Sequence, residues 1–215
     1  MRADQKPQPR SLTARGAATR ARIVDAATDL FYAHGVDRTS LDDVMAMSGV
    51  SKSQLYHYFA DKGALVLEVI ARQTRRVLDA QQPQLADLDS LPSLRAWRDA
   101  IVALHRATGG NGCPLGSLAS ELASDSELAR TSLASGFAIW RDHIEQGLSR
   151  MRERGELVAS ADPRELAVAL LTAVEGGLLL AKTTCSSRPL EIALDMAIDH
   201  VARQTTKRSL QTDTA

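Results

Sequence analysis

The chain of 215 residues is poor in aromatic side chains and contains no long apolar run. Aromatic residues make up 4% of it, and no stretch alternates β-branched with polar residues as a half-buried strand would. Helix-forming residues are abundant instead, so an all-α protein is expected. Because no apolar run reaches the roughly 18 residues of a membrane span, and no signal peptide precedes the first one, the sequence predicts a cytoplasmic protein.

Cysteine is scarce, with only Cys113 and Cys185 in the chain. Their separation fits no metal or thiol-exchange motif, so both are expected to be free thiols, with a redox-sensing pair as the alternative. The five histidines show no HExxH or paired spacing either: His34, His57, His105, His143 and His200. The sequence therefore predicts no metal, no cofactor and no catalytic centre, although an enzyme stays open as an alternative class.

An excess of either charge is also absent from the chain as a whole, but the charges are unevenly distributed. Residues 1–62 carry 9 Lys and Arg against 7 Asp and Glu, a net +2, whereas residues 63–215 carry 17 against 19, a net −2. A basic excess in the first part of the chain is what attraction to nucleic-acid phosphates requires. A solvated, disordered tail explains the first basic residues equally well.

Residues 39–62 contain the pattern that points to a specific partner. Leu41, Val44 and Met45 fall at i, i+3 and i+4, which places them on one face of a short helix. Ser40 precedes that helix and is followed by an acidic residue three positions on, which is typical of a helix start. The pattern predicts a short amphipathic helix beginning next to Ser40.

A second short helix follows after a tight turn. Gly49 ends the first helix, and Ser51 offers an N-cap for the next one. Leu55 and Phe59 are four positions apart and are expected to face inward. Two short helices joined by a turn that contains glycine form a helix-turn-helix, whose second helix lies in the major groove of DNA.

The inward direction of Leu55 and Phe59 leaves polar side chains outward. These are Lys52, Ser53, Gln54, His57 and Tyr58. Lysine suits the guanine edge and glutamine the adenine edge, so Lys52 and Gln54 are the predicted base readers. Asp61 is expected to cap a third helix, in whose first turn Lys62 is better placed to hold a phosphate.

These spaced residues resemble the DNA-binding domain of the TetR family of bacterial transcriptional regulators. The resemblance rests on Gly35, Thr39, Ser40, the run Gly49 to Lys52, Leu55, Tyr56, Phe59 and Lys62. It implies phosphate contacts from Tyr56, Tyr58 and Lys62, with Lys52, Ser53, Gln54 and His57 near bases. The predicted DNA-binding residues are Thr39, Ser40, Ser51, Lys52, Ser53, Gln54, Tyr56, His57, Tyr58 and Lys62. Residues 112–122, GCPLGSLASEL, are similar to a stretch of the LmrA/YxaF-like branch of these regulators.

The predicted organisation places two domains between two tails. They are a disordered basic tail over 1–16, a DNA-binding domain over 17–82, a ligand-binding and dimerisation domain over 83–204, and a disordered tail over 205–215. The long helix that begins after Asp61 is expected to end near Gln82, before Pro83. Further helices are predicted over about 93–108, 113–124, 126–154, 163–184 and 189–204.

The last two predicted helices are apolar over more than one face. Such helices need cover both from their own domain and from something else, which predicts a two-fold homodimer. The predicted interface consists of Leu170, Val174, Leu178, Leu194 and Ile198. Full burial of both helices within one subunit is the alternative.

The resemblance implies a regulator, most simply a repressor, that binds a palindromic operator in double-stranded DNA as a homodimer. It also implies release by a small hydrophobic effector that binds in the second domain. The candidate pocket residues are Trp97, His105, Phe137, Trp140 and Met151, each of which is equally a core residue. A helical ligand-binding protein whose DNA face is no longer used is the alternative function.

Overall fold

The computed structural model describes residues 13–206. Within that range the chain forms nine α-helices and one short 3-10 helix, and its only β pairing is a bridge between Leu157 and Thr205. The predicted all-α class is confirmed. The chain divides into two compact units, Met1–Val69 and Ile70–Ala215.

The first unit is built on α1 (Ala14–His34), α2 (Leu41–Ser48), α3 (Lys52–Tyr58) and the beginning of α4 (Lys62–Asp79). Apolar residues at helical spacing on α1, such as Ile23, Ala27 and Phe31, are buried in its core. This helix begins inside the predicted N-terminal tail, because the hydroxyl of Thr13 accepts the N–H of Gly16 at 3.2 Å and caps it there.

Part of the predicted disordered N-terminal tail is therefore helical. Residues 14–16 belong to α1, whereas residues 1–12 of that tail lie outside the described residues. The predicted disordered tail at the other end is also shorter than expected. The Val158 N–H donates to the Gln204 carbonyl at 2.8 Å and the Thr206 N–H to the Glu156 carbonyl at 2.8 Å, so residues 205 and 206 are held. Residues 207–215 lie outside the described residues.

The division between the compact units falls inside α4. This is earlier in the chain than the predicted domain boundary between Gln82 and Pro83, which stays a prediction. The second half of α4 carries buried polar side chains, Gln73 and Thr74, that belong to the second unit. After α4 ends, the indole N–H of Trp97 donates to the side-chain oxygen of the buried Gln81 at 3.0 Å. These contacts assign residues 70–82 to the second unit.

The remainder of the second unit is a layered set of helices. It contains a 3-10 helix (Gln84–Asp87), α5 (Leu91–Ala107), α6 (Pro114–Leu122), α7 (Glu127–Glu153), α8 (Pro163–Thr184) and α9 (Arg188–Arg203). Close packing of α8 on α9 depends on Gly177, because a Cβ there would lie 2.8 Å from the Cα of Leu190. The predicted helices of this region are confirmed with small shifts at their ends.

Helix α8 is also the one described helix that is long and apolar enough to cross a membrane by composition alone. The buried core helix of a soluble protein meets the same criterion of length and composition. In this chain Leu166, Leu170 and Val174 of α8 are buried inside the second unit. The apolar character of α8 is thus partly that of a core helix.

Candidate nucleic-acid interface

Helix α2 begins at a reciprocal cap formed by Ser40 and Asp43. The Asp43 N–H donates to the Ser40 hydroxyl at 3.1 Å, and the Asp43 carboxylate accepts the Ser40 N–H at 2.8 Å. A further hydrogen bond from the Ser40 hydroxyl is the main cause that lowers the pKa of Asp43. Gly49 ends the helix with φ 66°, a left-handed conformation that favours glycine. The predicted start and end of α2 are confirmed.

Helix α3, which follows the turn at Gly49, begins with the same arrangement, here formed by Ser51 and Gln54. The Gln54 N–H donates to the Ser51 hydroxyl at 3.3 Å, and the Ser51 N–H donates to Oε1 of Gln54 at 2.9 Å. The predicted N-cap at Ser51 is confirmed. The predicted adenine readout by Gln54 uses its amide oxygen, one of whose two lone pairs is occupied by the cap.

Two buried side chains hold α3 against the first unit. Leu55 is 0% exposed and Phe59 is 2% exposed, so the predicted inward direction of both is confirmed. The guanidinium carbon of Arg20 lies 5.4 Å from the centre of the Phe59 ring, and Arg20 also pairs with Glu68 at 2.6 Å. Helix α1 and helix α4 therefore both support the anchor.

The opposite side of α3 is a continuous polar surface, called here the recognition surface. Its members are Lys52, Ser53, Gln54 and His57, which are exposed, Tyr56, which is 46% exposed, and the half-buried Tyr58 and Lys62. The rings of His57 and Tyr58 meet edge to face at 4.9 Å. Asp61 caps α4 as predicted, by accepting the Ala64 N–H at 2.8 Å. The surface offers ammonium, amide, imidazole and phenol groups to a partner.

Thr39 is a correction to the predicted set of DNA-binding residues. Its side chain is 2% exposed, and its hydroxyl donates to the carbonyl of Gly35 at 2.8 Å. The hydroxyl therefore closes the connection between α1 and α2 and cannot reach a partner. Ser40 and Ser51 are exposed, but their hydroxyls serve first as helix caps.

The candidate pocket residues of the second unit are mostly in its core. Trp97, His105, Trp140 and Met151 are buried, and Phe137 is half-buried. Two of them hold polar atoms without a hydrogen-bond partner among the described residues, Nε1 of Trp140 and Nδ1 of His105. Burial, followed by the nearby charge of Arg106, lowers the pKa of His105 and favours its neutral form.

The buried Cys113 and the half-buried Glu175 form a pair that the sequence did not predict. Cys113 caps α6, since its sulfur accepts the Gly116 N–H at 3.4 Å, and its thiol is hydrogen-bonded to the Glu175 carboxyl. Burial raises the pKa of both groups. The signal for this site was a single carboxylate in the apolar run of α8. No cluster of three or more metal-binding side chains is found in the described part of the chain.

Both cysteines are free, as predicted, and their environments differ. Cys113 is buried and Cys185 is exposed. A thiol whose pKa is raised stays protonated and reacts slowly, since the thiolate is the nucleophile. The surroundings of Cys113 therefore favour a packed, hydrogen-bonded thiol over a partner in a redox-sensing pair.

The predicted dimer interface also needs a correction. Leu170, Val174, Leu178, Leu194 and Ile198 are each at most 8% exposed in the single chain. These side chains fill the space between helices of their own unit and present little surface to a second chain. The apolar side chains that α8 and α9 leave outward are others: Val168, Leu179, Leu180, Ile192 and Met196, which are 43–66% exposed.

Comparison with known proteins defines the class of protein to which this site belongs. Residues 23–69 match the profile of bacterial regulatory proteins of the tetR family. Residues 92–196 match the C-terminal domain of LmrA/YxaF-like transcriptional regulators. The two matches together define the class of protein: a bacterial transcriptional regulator with an N-terminal helix-turn-helix and a helical C-terminal domain.

Individual relatives extend this match over most of the chain. The transcriptional regulator AcuR of Cereibacter sphaeroides is 30% identical over 160 residues, which are 73% of this chain and 73% of AcuR. The transcriptional repressor DhaR of Mycobacterium sp. is 25% identical over 183 residues, 84% of this chain and 90% of DhaR. A solved SmeT–triclosan complex is similar with a TM-score of 0.64 and 25% identity, covering 89% of this chain and 94% of SmeT. The chain belongs to the TetR family of transcriptional regulators.

The buried carboxyl of Glu175 generates a prediction about pH. Because its folded-state pKa is raised, the fold loses stability as the pH rises through that pKa, whereas below the ordinary glutamate pKa no stability is lost. The Glu175→Gln variant should therefore unfold at a higher temperature than the wild type at pH 8. The two proteins should have similar unfolding temperatures near pH 4, which thermal unfolding followed by circular dichroism measures.

Glu165→Gln provides the matched control, because Glu165 is exposed on the same helix. This variant should gain no stability as the pH rises. A Glu175→Gln protein that is less stable than the wild type at pH 8 would contradict the assignment of an unfavourable buried charge.

Proposed function

We propose that this TetR-family regulator is a ligand-responsive repressor that acts in the cytoplasm and binds a palindromic operator as a homodimer. The observation that carries the proposal is the recognition surface: α3 buries Leu55 and Phe59 and presents a set of hydrogen-bonding side chains outward. A recognition helix of this kind inserts its polar face into the major groove. The similarity to DhaR, a repressor by name, supports the direction of the regulation.

The members of the recognition surface fall into two groups, proposed base contacts and proposed phosphate contacts, according to their position on α3 and their chemistry. Lys52, Ser53 and His57 lie on the exposed side of α3 and are proposed to face base edges. Tyr56, Tyr58 and Lys62 lie at or beyond the end of the helix and are proposed to hold phosphates. Phosphate contacts set the affinity and its salt dependence, whereas base contacts set the sequence preference.

Lys62→Ala should weaken binding to duplexes of every sequence, because it removes one phosphate contact. The slope of log affinity against log salt concentration should fall by about 1. Fluorescence anisotropy of a labelled duplex from the region flanking the protein's own gene, measured over a salt series, gives both quantities.

Arg95→Ala is the control for loss of a positive charge, since Arg95 is exposed on α5 of the second unit. Its affinity and salt slope should equal those of the wild type. If Lys62→Ala also matched the wild type at all salt concentrations, the phosphate contact would be wrong. A wild-type protein that retards no duplex at low salt would instead favour a ligand-binding protein with an unused DNA face.

The proposed dimer rests on the outward apolar side chains of α8 and α9. Several exposed apolar side chains on one pair of helices are typical of a protein–protein interface. A second copy of the same face is the partner that gives a closed, two-fold assembly. Such a dimer carries two recognition helices, as a palindrome with half-sites about 34 Å apart, or a multiple of this, requires.

Leu179→Glu should convert the protein to monomers at micromolar concentration, because Leu179 is 63% exposed and a carboxylate at a buried interface is unfavourable. Sedimentation velocity measures the change. The variant should keep the helical content of the wild type. Leu178 is unsuitable for this test, since at 8% exposure it belongs to the core of the chain.

Leu128→Glu is the matched control, because Leu128 is 69% exposed but lies on α7. That variant should remain dimeric. If Leu179→Glu sedimented as an unchanged dimer, the outward face of α8 would not be the interface.

The effector is proposed to be a small, mostly apolar molecule that carries a hydrogen-bond acceptor. A buried donor without a partner costs about 1–3 kcal/mol, and the Trp140 N–H is such a donor among the described residues. A ligand that accepts from it recovers part of this cost. The structural relative SmeT, solved in complex with triclosan, supports a ligand of this general kind.

Trp140→Phe should test this role, because phenylalanine keeps an aromatic ring and removes the N–H. A thermal-shift screen of small apolar compounds with a hydroxyl or carbonyl group, triclosan among them, should find a compound that stabilises the wild type. The variant should bind that compound about tenfold more weakly, the loss of roughly one hydrogen bond. A compound that binds both proteins equally would remove Trp140 from the site.

A further inference from the structure

The carboxyl of Glu175 on α8 lacks the positive partner that a buried negative charge requires. We infer that Glu175 is the anionic contact of the effector site, and that the effector carries a cationic nitrogen on its apolar body. This inference rests on the proposed function, because it specifies the charge of the proposed effector. It also gives a role to the pair that Glu175 forms with Cys113.

The carboxyl is only partly satisfied by its own chain. Oε1 is buried and has no hydrogen-bond partner among the described residues, whereas the thiol of Cys113 is hydrogen-bonded to the carboxyl. A thiol is a weak, uncharged donor and does not compensate a carboxylate. Within residues 13–206, Cys113 is the only titratable group found to interact with Glu175, and no cationic side chain pairs with it. Because buried charges are otherwise paired, this carboxyl is suited to a positive partner from outside the chain.

Helix α6 holds the carboxyl in position. A Cβ on Gly116 would collide with Oε2, so the glycine in the first turn of α6 leaves the space that the carboxyl occupies. Cys113, at the start of the same turn, is buried and contacts the carboxyl as well. The acceptor atoms are therefore placed by packing before any ligand binds, which reduces the entropy lost on binding.

The neighbourhood of the carboxyl suits a small, mostly apolar molecule. Glu175 as a whole is half-buried, so its side chain lies close to the surface. Leu171 and Leu178 are its neighbours one turn away along α8, half-buried and buried respectively. The connection between α5 and α6 lies beside them, since a Cβ on Gly112 would be 3.8 Å from the carbonyl oxygen of Leu178. These surroundings supply apolar contacts on either side of one charged group.

A neutral donor on the ligand would not require a carboxyl at this position. An amide or hydroxyl side chain also accepts a hydrogen bond, and it is less costly to bury than an ionised group. Burial raises the pKa of Glu175, which favours the protonated form in the free protein. A cation at hydrogen-bond distance favours the ionised form instead. Binding of a cation should therefore strengthen as the pH rises through the raised pKa.

A series of ω-phenylalkylamines, from benzylamine to 6-phenylhexylamine, tests the inference on the full-length protein beside the alcohols of equal chain length. Each pair shares its apolar body and differs in the nitrogen, which remains protonated well above neutral pH. At pH 8, isothermal titration calorimetry should show at least one amine that binds about tenfold or more tightly than its alcohol, as a charge-assisted hydrogen bond provides. The difference should diminish as the pH is lowered toward 4.

Glu175→Gln retains the shape of the side chain and removes its charge. In this variant the amine should bind no more tightly than its alcohol, and the preference should no longer depend on pH. Glu165→Gln is the matched control, because it removes an exposed carboxylate from the same helix. That protein should keep the preference of the wild type for the amine.

Two results would overturn the inference. One is a wild type that binds no amine of the series more tightly than its alcohol, and the other is a preference that persists in Glu175→Gln. Displacement of the labelled duplex by the bound amine, followed by fluorescence anisotropy, tests the proposed function separately. An amine that binds through Glu175 and leaves the duplex bound would support the cation site and count against ligand-responsive repression.

Discussion

The burial of Leu55 and Phe59 is the interaction on which the DNA-facing part of the molecule depends. A helix of 7 residues has too few internal hydrogen bonds to be stable alone. The burial of Leu55 and Phe59, with the guanidinium of Arg20 over the Phe59 ring, supplies the stability that the internal hydrogen bonds of this short helix do not. Since these anchors occupy one side of α3, the remaining side chains of the helix are exposed, except for the half-buried Tyr58. The recognition surface is thus a consequence of the packing beneath it.

The helix caps are the second feature that stabilises the short helices of the first unit. Both α2 and α3 begin with a serine whose hydroxyl and backbone N–H are satisfied by the residue three positions later. At α2 that residue is Asp43, whereas at α3 it is Gln54, which belongs to the recognition surface. The start of α3 and the proposed base recognition therefore involve the same side chain.

Much of this arrangement could be predicted from the sequence because it is local. Helix starts at Ser40, Ser51 and Asp61 follow from side chains within three residues, and the spacing of apolar residues on α2 and α3 identifies their inward faces. The pattern Ser51-Lys-Ser-Gln54 was itself a visible capping box, although the outward position of Gln54 drew attention to DNA alone. Thr39 was misassigned since two adjacent hydroxyl residues precede α2, and spacing does not distinguish the cap from its buried neighbour.

Features that depend on tertiary contacts could not be predicted in this way. Helix α8 is apolar on several sides, so periodicity alone does not distinguish the leucines that face inward from those that face outward. The pairing of Cys113 with Glu175 joins residues far apart in the sequence, so no local pattern indicates it. The division of the compact units inside α4 is not visible in the sequence either: Pro83 is the obvious break in the chain, but a buried hydrogen bond from Trp97 to Gln81 holds the preceding residues to the second unit.

The separation of inward and outward side chains on α8 and α9 has an evolutionary consequence. Leu178 fills the interior of one chain while its neighbour Leu179 lies at the surface, so adjacent positions answer to different selective pressures. If the outward set forms the proposed dimer interface, changes in it would alter which subunits pair without disturbing the fold, because effects at sites with no shared partners are nearly independent. After gene duplication, two such regulators could thus cease to exchange subunits through a few surface substitutions, each remaining fully folded.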